Sequence, residues 1–161
     1  MNGLDALPPY RARILPEWID YNGHLRDAYY GLVLSLAIDD VMDHLGLDAG
    51  YRERTRCTLF TLESHLHYLH EVGESDELTV ETSVLDADRK RIHAGCRFTR
   101  RDETVATGEV MLLHVRQGSQ PASQPFPPEI ARRLESLRLT ADAAAAWGPK
   151  SRRIELTRRA G

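Results

Sequence analysis

The chain has 161 residues, of which 42% are hydrophobic, so it has the size of one domain and can bury a core. Its formal net charge of −3 gives no electrostatic reason to expect a nucleic-acid partner. The segment Met1 to Arg13 lacks the apolar core of a signal peptide, and no run approaches the roughly 20 apolar residues of a membrane helix. We therefore expect a cytoplasmic protein without a membrane partner.

The first predicted elements are a short strand and a long helix. Residues 9–19 are typical of an edge strand, because prolines precede and interrupt the segment. Apolar residues recur at three- and four-residue spacing over residues 27–45, which predicts an amphipathic helix. Asp27 is the expected N-cap of that helix, and Gly46 is its expected end.

Alternating patterns then predict a meander of strands, after a charged loop from Tyr51 to Arg56. In the first strand, Leu59, Thr61, Glu63, His65 and His67 are expected to lie on one side. Turn residues separate the strands, which cover residues 57–71, 77–85, 91–100 and 104–116. This order predicts an α+β fold in which an antiparallel sheet of about five strands wraps a long central helix.

The C-terminal part differs in composition. Residues 117–128 predict a linker rich in Pro, Ser and Gln, and a short helix is expected over residues 129–137. An Ala-rich and then basic tail follows. We predict one functional domain over residues 1–117, with residues 118–161 packing on it or trailing from it.

Several common catalytic signatures are absent from the sequence. There is no G-x-S-x-G elbow, no P-loop and no G-x-G-x-x-G, which argues against a serine hydrolase of the usual kind and against phosphate-binding loops. Cys57 and Cys96 are typical of small buried thiols, with a structural disulfide or a nucleophile as the alternatives. The cluster of His65, His67 and His70 has His70 pointing away from the other two, so we favour a strand face of imidazoles and expect no metal.

The segment from Trp18 to Tyr30 combines a carboxylate and a glycine directly ahead of the predicted helix. The free N–H groups at a helix start can polarise an acyl carbonyl as an oxyanion hole does. Asp20 could then attack that carbonyl or orient a water molecule. The residues alone also allow Asp20 and Asn22 only to cap a turn.

This segment resembles the D-x-x-G-H-x-N-N-x-x-Y signature of hotdog thioesterases of the 4-hydroxybenzoyl-CoA thioesterase group. The resemblance extends over roughly residues 10–117, and the matching positions are Asp20, Gly23, His24 and Tyr30. It implies a hotdog fold, with Asp20 as nucleophile or general base and with amides near Asp27 and Ala28 polarising the thioester. Arg26 and Asp27 replace the two asparagines, a departure that concerns substrate contacts.

Three longer phrases are similar to one group within that family, the betainyl-CoA thioesterases of carnitine degradation: E-W-I-D-Y-N-G-H, L-F-T-L-E-S-H-L-H-Y-L-H-E-V and D-A-D-R-K-R-I-H. This resemblance implies hydrolysis of betainyl-CoA to glycine betaine and CoA. A quaternary ammonium favours aromatic faces and a nearby carboxylate. Glu63 and Glu71 are candidate carboxylates, and the candidate aromatic residues, for which ordinary packing is the alternative, are Trp18, Tyr21, Tyr29, Tyr30 and Tyr68.

The expected site thus has a catalytic and a substrate-binding part. The catalytic candidates are Asp20, Asn22, Gly23, His24, Asp27 and Glu63. The substrate-binding candidates are Trp18, Tyr21, Arg26, Tyr30, His65 and Tyr68. For Glu63 the alternative is a surface salt bridge.

Basic residues are candidates for the CoA phosphates, with solvated charge as the alternative. They are the turn residues Arg89, Lys90 and Arg91, and the tail residues Lys150, Arg152, Arg153, Arg158 and Arg159.

The resemblance also implies a homodimer, or a homotetramer, with active sites between subunits. Asp20 of one chain is then expected to act with Glu63 and His65 of its partner, and neither a metal nor an organic cofactor is expected. Two alternatives remain: a hotdog hydratase or dehydratase, and a non-catalytic subunit that binds acyl-CoA.

Overall fold

The computed structural model describes residues 6–147. Its longest helix, α1, covers Asp27–Leu45, and its apolar face is buried. Gly46 ends the helix in the left-handed region with φ of 85°, a conformation that glycine adopts without strain. The predicted helix and its end are confirmed. The predicted N-cap is wrong by one residue, because Arg26 occupies the N-cap and Asp27 is the first helical residue.

An antiparallel sheet in the order β1-β3-β4-β5-β2 packs one face against α1. Its strands are β1 (Tyr10–Arg13), β2 (Cys57–Tyr68), β3 (Glu77–Ala87), β4 (Arg91–Arg100) and β5 (Glu103–Arg116). A short strand, β6 (Ala122–Ser123), pairs with β5. The α+β arrangement of a long helix against an antiparallel sheet is confirmed, and β1 lies at an edge as its prolines predict.

A β-bulge in β2 decides which residues face α1. Thr61 pairs with Leu112 of β5, whereas Glu63 pairs with Met111, so Leu62 is the extra residue. Leu59 and Thr61 therefore face the helix, but Glu63, His65 and His67 lie on the outer face of the sheet. The predicted common side for all five residues is wrong, since alternation cannot reveal an inserted residue.

Other boundaries differ from the prediction. The expected strand over residues 9–19 is only four residues long, and a 3-10 turn at Pro16–Trp18 follows it. The expected charged loop forms a helix, α2 (Ala49–Thr55), because Asp48 caps it through the Tyr51 N–H at 2.7 Å and the Tyr51 ring is buried. The strand β2 ends at Tyr68, three residues earlier than predicted.

The C-terminal segment packs on the sheet and the helix. The helix α3 (Pro128–Leu137) buries Ile130 and Leu134 against the core. A further helix, α4 (Ala141–Ala146), was predicted only as an Ala-rich stretch. After it, the Trp147 indole Nε1 donates to Ser83 Oγ at 3.1 Å on the outer face of the sheet. The predicted basic tail lies outside the described residues.

Within the described residues, no helix is both long and apolar enough to cross a lipid bilayer.

Candidate functional site

A closed turn holds Asp20 ahead of α1. The Asp20 N–H donates to His24 O at 2.9 Å, and the Gly23 N–H donates to Asp20 O at 3.0 Å. Gly23 has φ of 80°, in the left-handed region where a β-carbon costs about 1–2 kcal/mol. The glycine of the signature is therefore required by the shape of the turn.

The Asp20 side chain closes the same turn. Its Oδ1 accepts hydrogen bonds from the Asn22 N–H at 2.8 Å and the His24 N–H at 3.2 Å, and its Oδ2 has one longer contact, with Asn22 Nδ2 at 3.4 Å. Partial burial raises the pKa of Asp20, but the hydrogen bonds from His24 and Asn22 outweigh that effect and lower the pKa below its usual value. Asp20 therefore does cap the turn, as the alternative proposes. The carboxylate is ionised, and its Oδ2 accepts fewer and longer hydrogen bonds than its Oδ1.

The start of α1 supplies the amide donors. Arg26 is extended, with φ of −62° and ψ of 144°, and its carbonyl accepts from the Tyr29 N–H at 3.0 Å. The Ala28 N–H donates to the neighbouring Asp27 Oδ1 at 2.9 Å. Among the described residues, the Asp27 N–H has no hydrogen-bond acceptor, so it is the donor that a carbonyl oxygen can use.

A cavity of about 260 Å³ opens at this helix start. Its lining residues are His24, Leu25, Asp27, Tyr30, Tyr68, Leu69, His70 and Glu71. Tyr68 packs edge-to-face on Tyr30 with ring centroids 5.1 Å apart, and its hydroxyl lies 3.5 Å from Asp27 O. Asp20 borders the cavity through its hydrogen bonds to His24. The structure thus places His24, Asp27, Tyr30 and Tyr68 around one cavity, and Asp20 is joined to them through its hydrogen bond from the His24 N–H.

The segment after β2 forms one wall of the cavity. The sequence singles out Glu71 of this segment as a candidate carboxylate for a cation, but places it at the end of a strand. The Leu69 N–H donates to Val105 O at 2.8 Å, and Val72 O accepts from the Leu25 N–H at 2.7 Å. Arg100 Nη1 donates to Glu71 O at 2.7 Å. The sequence pattern continued the strand to residue 71, so the bend that turns Glu71 toward the helix start could not be seen.

The other aromatic candidates lie outside the cavity wall. Trp18 stacks on Tyr29 with centroids 5.1 Å apart, an arrangement that fits the packing alternative. Tyr21 is 95% exposed at the tip of the turn. Arg26 is exposed at the N-cap of α1. None of these side chains contributes to the cavity in the single chain.

Glu63 and His65 lie on the outer face of the sheet and are paired at 2.7 Å between Glu63 Oε1 and His65 Nε2. The Glu63 side chain is exposed and the His65 side chain is half-buried at the surface, so this is the surface pair that the sequence left open as the alternative for Glu63. They line a groove of about 670 Å³, together with His93, Glu109 and Trp147. Within one chain, the structure does not bring Glu63 or His65 to Asp20.

The basic turn residues Lys90 and Arg91 make other contacts and do not line the cavity. Arg91 is bound to Asp88 at 2.6 Å, and Lys90 donates to Ser123 Oγ at 3.1 Å. His70 follows the end of β2, and its Nε2 lies 3.8 Å from Glu103. Residues 6–147 contain no group of three or more His, Cys, Asp or Glu side chains arranged to hold a metal ion.

Comparison with known sequences identifies the family of this chain. A family model described as the thioesterase-like superfamily matches residues 14–134. A betainyl-CoA thioesterase of Pseudomonas aeruginosa is 47% identical over 134 residues, which are 82% of this chain and 84% of that protein. An L-carnitine dehydrogenase/betainyl-CoA thioesterase of Agrobacterium fabrum is 40% identical over 80% of this chain, which spans only 26% of that longer protein.

Solved structures give the same result for the fold. A protein of Pseudomonas putida KT2440, provisionally assigned as a thioesterase, has a TM-score of 0.76 at 40% identity and covers 95% of this chain and 98% of its own. A Staphylococcus aureus protein in complex with CoA has a TM-score of 0.76 at 31% identity and covers 82% and 85% of the two chains. The predicted hotdog fold is thereby confirmed. The chain belongs to the thioesterase-like superfamily and is a thioester hydrolase of the hotdog type.

Proposed function

We propose that this enzyme hydrolyses betainyl-CoA to glycine betaine and CoA. The observation that carries the proposal is the 47% identity to a betainyl-CoA thioesterase over most of both chains. The geometry at the start of α1 supports it, since an ionised carboxylate, an unpaired amide and an aromatic cavity lie together there. Two buried, unpaired cysteines are consistent with action in the reducing cytoplasm.

In the proposed reaction, the start of α1 polarises the carbonyl group of the thioester. The thioester carbonyl oxygen accepts a hydrogen bond from the Asp27 N–H, so charge that develops on it is stabilised at the positive end of the helix. Asp20 Oδ2 attacks the carbonyl carbon or takes a proton from an attacking water molecule. In both routes one water is consumed, the C–S bond breaks and the CoA thiolate leaves with the electron pair before it is protonated.

We propose further that CoA-ester hydrolysis takes place in a homodimer joined at β2. This strand is at the edge of the sheet and is 12 residues long. Phe60, Leu62, Tyr68 and Leu69 expose large hydrophobic groups along it or just beyond it. A long apolar edge of this kind is a template for pairing with a second strand. A partner strand there would extend the wall of the cavity at Tyr68.

The variant Leu62→Glu tests this interface. We expect it to sediment as a single chain where the wild type sediments as two, because a charge at an edge strand opposes pairing. Leu15→Glu is the matched control, since Leu15 is also exposed but lies beside β1, at the other edge of the sheet. A wild-type protein that sediments as one chain at micromolar concentration would contradict the proposal.

The hydrogen bonds to Asp20 predict the acid limb of the pH profile. Because the ionised form is the active one and the pKa is lowered from its usual value of 3.8, activity should be lost only as pH falls through a value below 3.8. The measurement is kcat/KM for a CoA ester against pH, with circular dichroism at each pH to confirm that the protein is folded. A limb near about 6.5, where histidine titrates, would assign the essential base to a histidine instead.

Thiol release from a panel of CoA esters tests the proposed function. The panel contains betainyl-CoA, acetyl-CoA, longer straight-chain esters and an aromatic ester. We expect the highest kcat/KM for betainyl-CoA. Preference for another ester would support thioesterase activity but contradict betainyl-CoA as the substrate. Hydration of an enoyl-CoA, or binding without thiol release, would favour one of the two alternative functions.

A further inference from the structure

The acyl group of the proposed substrate carries its positive charge very close to the reacting carbon. In betainyl-CoA a single methylene separates the quaternary nitrogen from the thioester carbonyl. A carbonyl bound at the Asp27 N–H therefore places the trimethylammonium group inside the cavity at the start of α1. The cation must be recognised by residues of that cavity wall, and the inference below rests on the proposed function.

The described wall of this cavity is negatively charged. It contains the carboxylates of Asp27 and Glu71 and no lysine or arginine. The Asp27 carboxylate is turned toward the Ala28 N–H. The Glu71 carboxylate has no hydrogen bond or ion pair with any described side chain, so its charge is not neutralised locally.

The nearest arginine does not neutralise Glu71. Arg100 binds the main-chain oxygen of Glu71 at 2.7 Å. Its guanidinium is shared between Asp76 at 3.4 Å and Glu103, with which it forms a short ion pair. Arg100 thus fixes the backbone at residue 71 while its charge is balanced by other carboxylates, which leaves the Glu71 side chain available to a cation.

An aromatic surface lies in the same wall. The Tyr68 side chain is 51% exposed, and its edge-to-face contact with Tyr30 leaves part of the ring open to the cavity. Burial, first of all, and then the nearby Tyr68 raise the pKa of Tyr30 to about 12, and Glu71 contributes to the same shift. Burial, first of all, and then Asp27 also raise the pKa of Tyr68. Both phenols are therefore neutral at physiological pH, and the exposed Tyr68 ring can attract a quaternary ammonium through its face.

We propose that Glu71, acting with the ring of Tyr68, is the specificity determinant that binds the quaternary ammonium of the acyl group. Its carboxylate supplies the charge and the ring supplies a face without a competing hydrogen bond. The other candidate carboxylate, Glu63, lies on the outer face of the sheet and is paired with His65. Glu71 selects among acyl groups, whereas Asp20 and the Asp27 N–H act on any thioester that enters.

The test compares two esters that differ only in charge. In 3,3-dimethylbutanoyl-CoA, a carbon atom replaces the quaternary nitrogen of betainyl-CoA, so size and shape are retained. We expect Glu71→Gln to lower kcat/KM for betainyl-CoA by about 10- to 100-fold, the range for removing one charge from a partly solvated pair. The value for the neutral ester should stay the same or rise, and this retained activity shows that the variant is folded.

Glu74→Gln is the matched control, because Glu74 is exposed in the same segment and does not line the cavity. This variant should change kcat/KM for neither ester by more than about twofold, since an exposed charge is largely screened. If Glu71→Gln lowered kcat/KM equally for both esters, the inference would be overturned, because equal losses indicate a general structural role of Glu71. A wild type that hydrolyses both esters equally well would also overturn it. If the wild type hydrolyses neither ester, the proposed function itself fails.

Discussion

Replacing Asp20 by asparagine is expected to lower kcat for CoA-ester hydrolysis by at least about 10²- to 10⁴-fold. The amide has the shape of the carboxylate, and its oxygen can still accept from the Asn22 and His24 N–H groups that bind Oδ1. The turn should therefore persist. What is lost is the negative charge needed to attack the carbonyl carbon or to take a proton from water. Thiol release under saturating substrate measures the effect.

The control for this variant is Asp39→Asn, which removes a carboxylate from an exposed position of α1. It should keep wild-type kcat. Thermal unfolding of both variants then separates a loss of chemistry from a loss of fold. Full activity of Asp20→Asn in a folded protein would remove Asp20 from the mechanism and leave it the role of capping the turn.

Replacing Asp27 by proline is expected to lower kcat by about 10²- to 10³-fold relative to Asp27→Ala, the usual cost of losing one oxyanion donor. Asp27 is the first residue of α1, where proline is favoured because the N–H has no partner within the helix. Arg26, with ψ of 144°, already has the extended conformation required before proline. The substitution therefore removes one hydrogen-bond donor while leaving the helix intact.

Comparing proline with alanine at residue 27 isolates the backbone N–H, because both variants lack the carboxylate. The measurement is kcat for betainyl-CoA in both proteins, with helix content followed by circular dichroism. Similar kcat values in two folded variants would show that the Asp27 N–H does not stabilise the developing charge.

The turn and the helix at the candidate site could be predicted because their signals are local in the sequence. The turn from Asp20 to His24 needs a carboxylate and a glycine at fixed positions, and the buried face of α1 repeats at helical spacing. Both features depend on residues close in sequence. The same locality explains why Gly46 was recognised as the end of the helix.

The features that the sequence did not predict depend on strand pairing and on contacts between distant parts of the chain. The bulge at Leu62 moves Glu63 to the outer face of the sheet. A prediction from strict alternation assumes that no residue is inserted, so it assigns Glu63 to the wrong face. Glu71 reaches the helix start only because Arg100 and Val105, both more than 25 residues away in sequence, hold the segment after β2. The helix α2 could not be predicted from an apolar pattern, since only Tyr51 of its seven residues is buried and several of the others are charged.

The activity proposed for this chain is the conversion of betainyl-CoA into glycine betaine and CoA. The most direct measurement follows both products over time with the purified wild-type enzyme, CoA as free thiol and glycine betaine by mass spectrometry. We expect one equivalent of each product per substrate, formed far faster than in a parallel reaction with Asp20→Asn. Tight binding of betainyl-CoA without release of either product would contradict it and would favour a subunit that binds acyl-CoA without cleaving it.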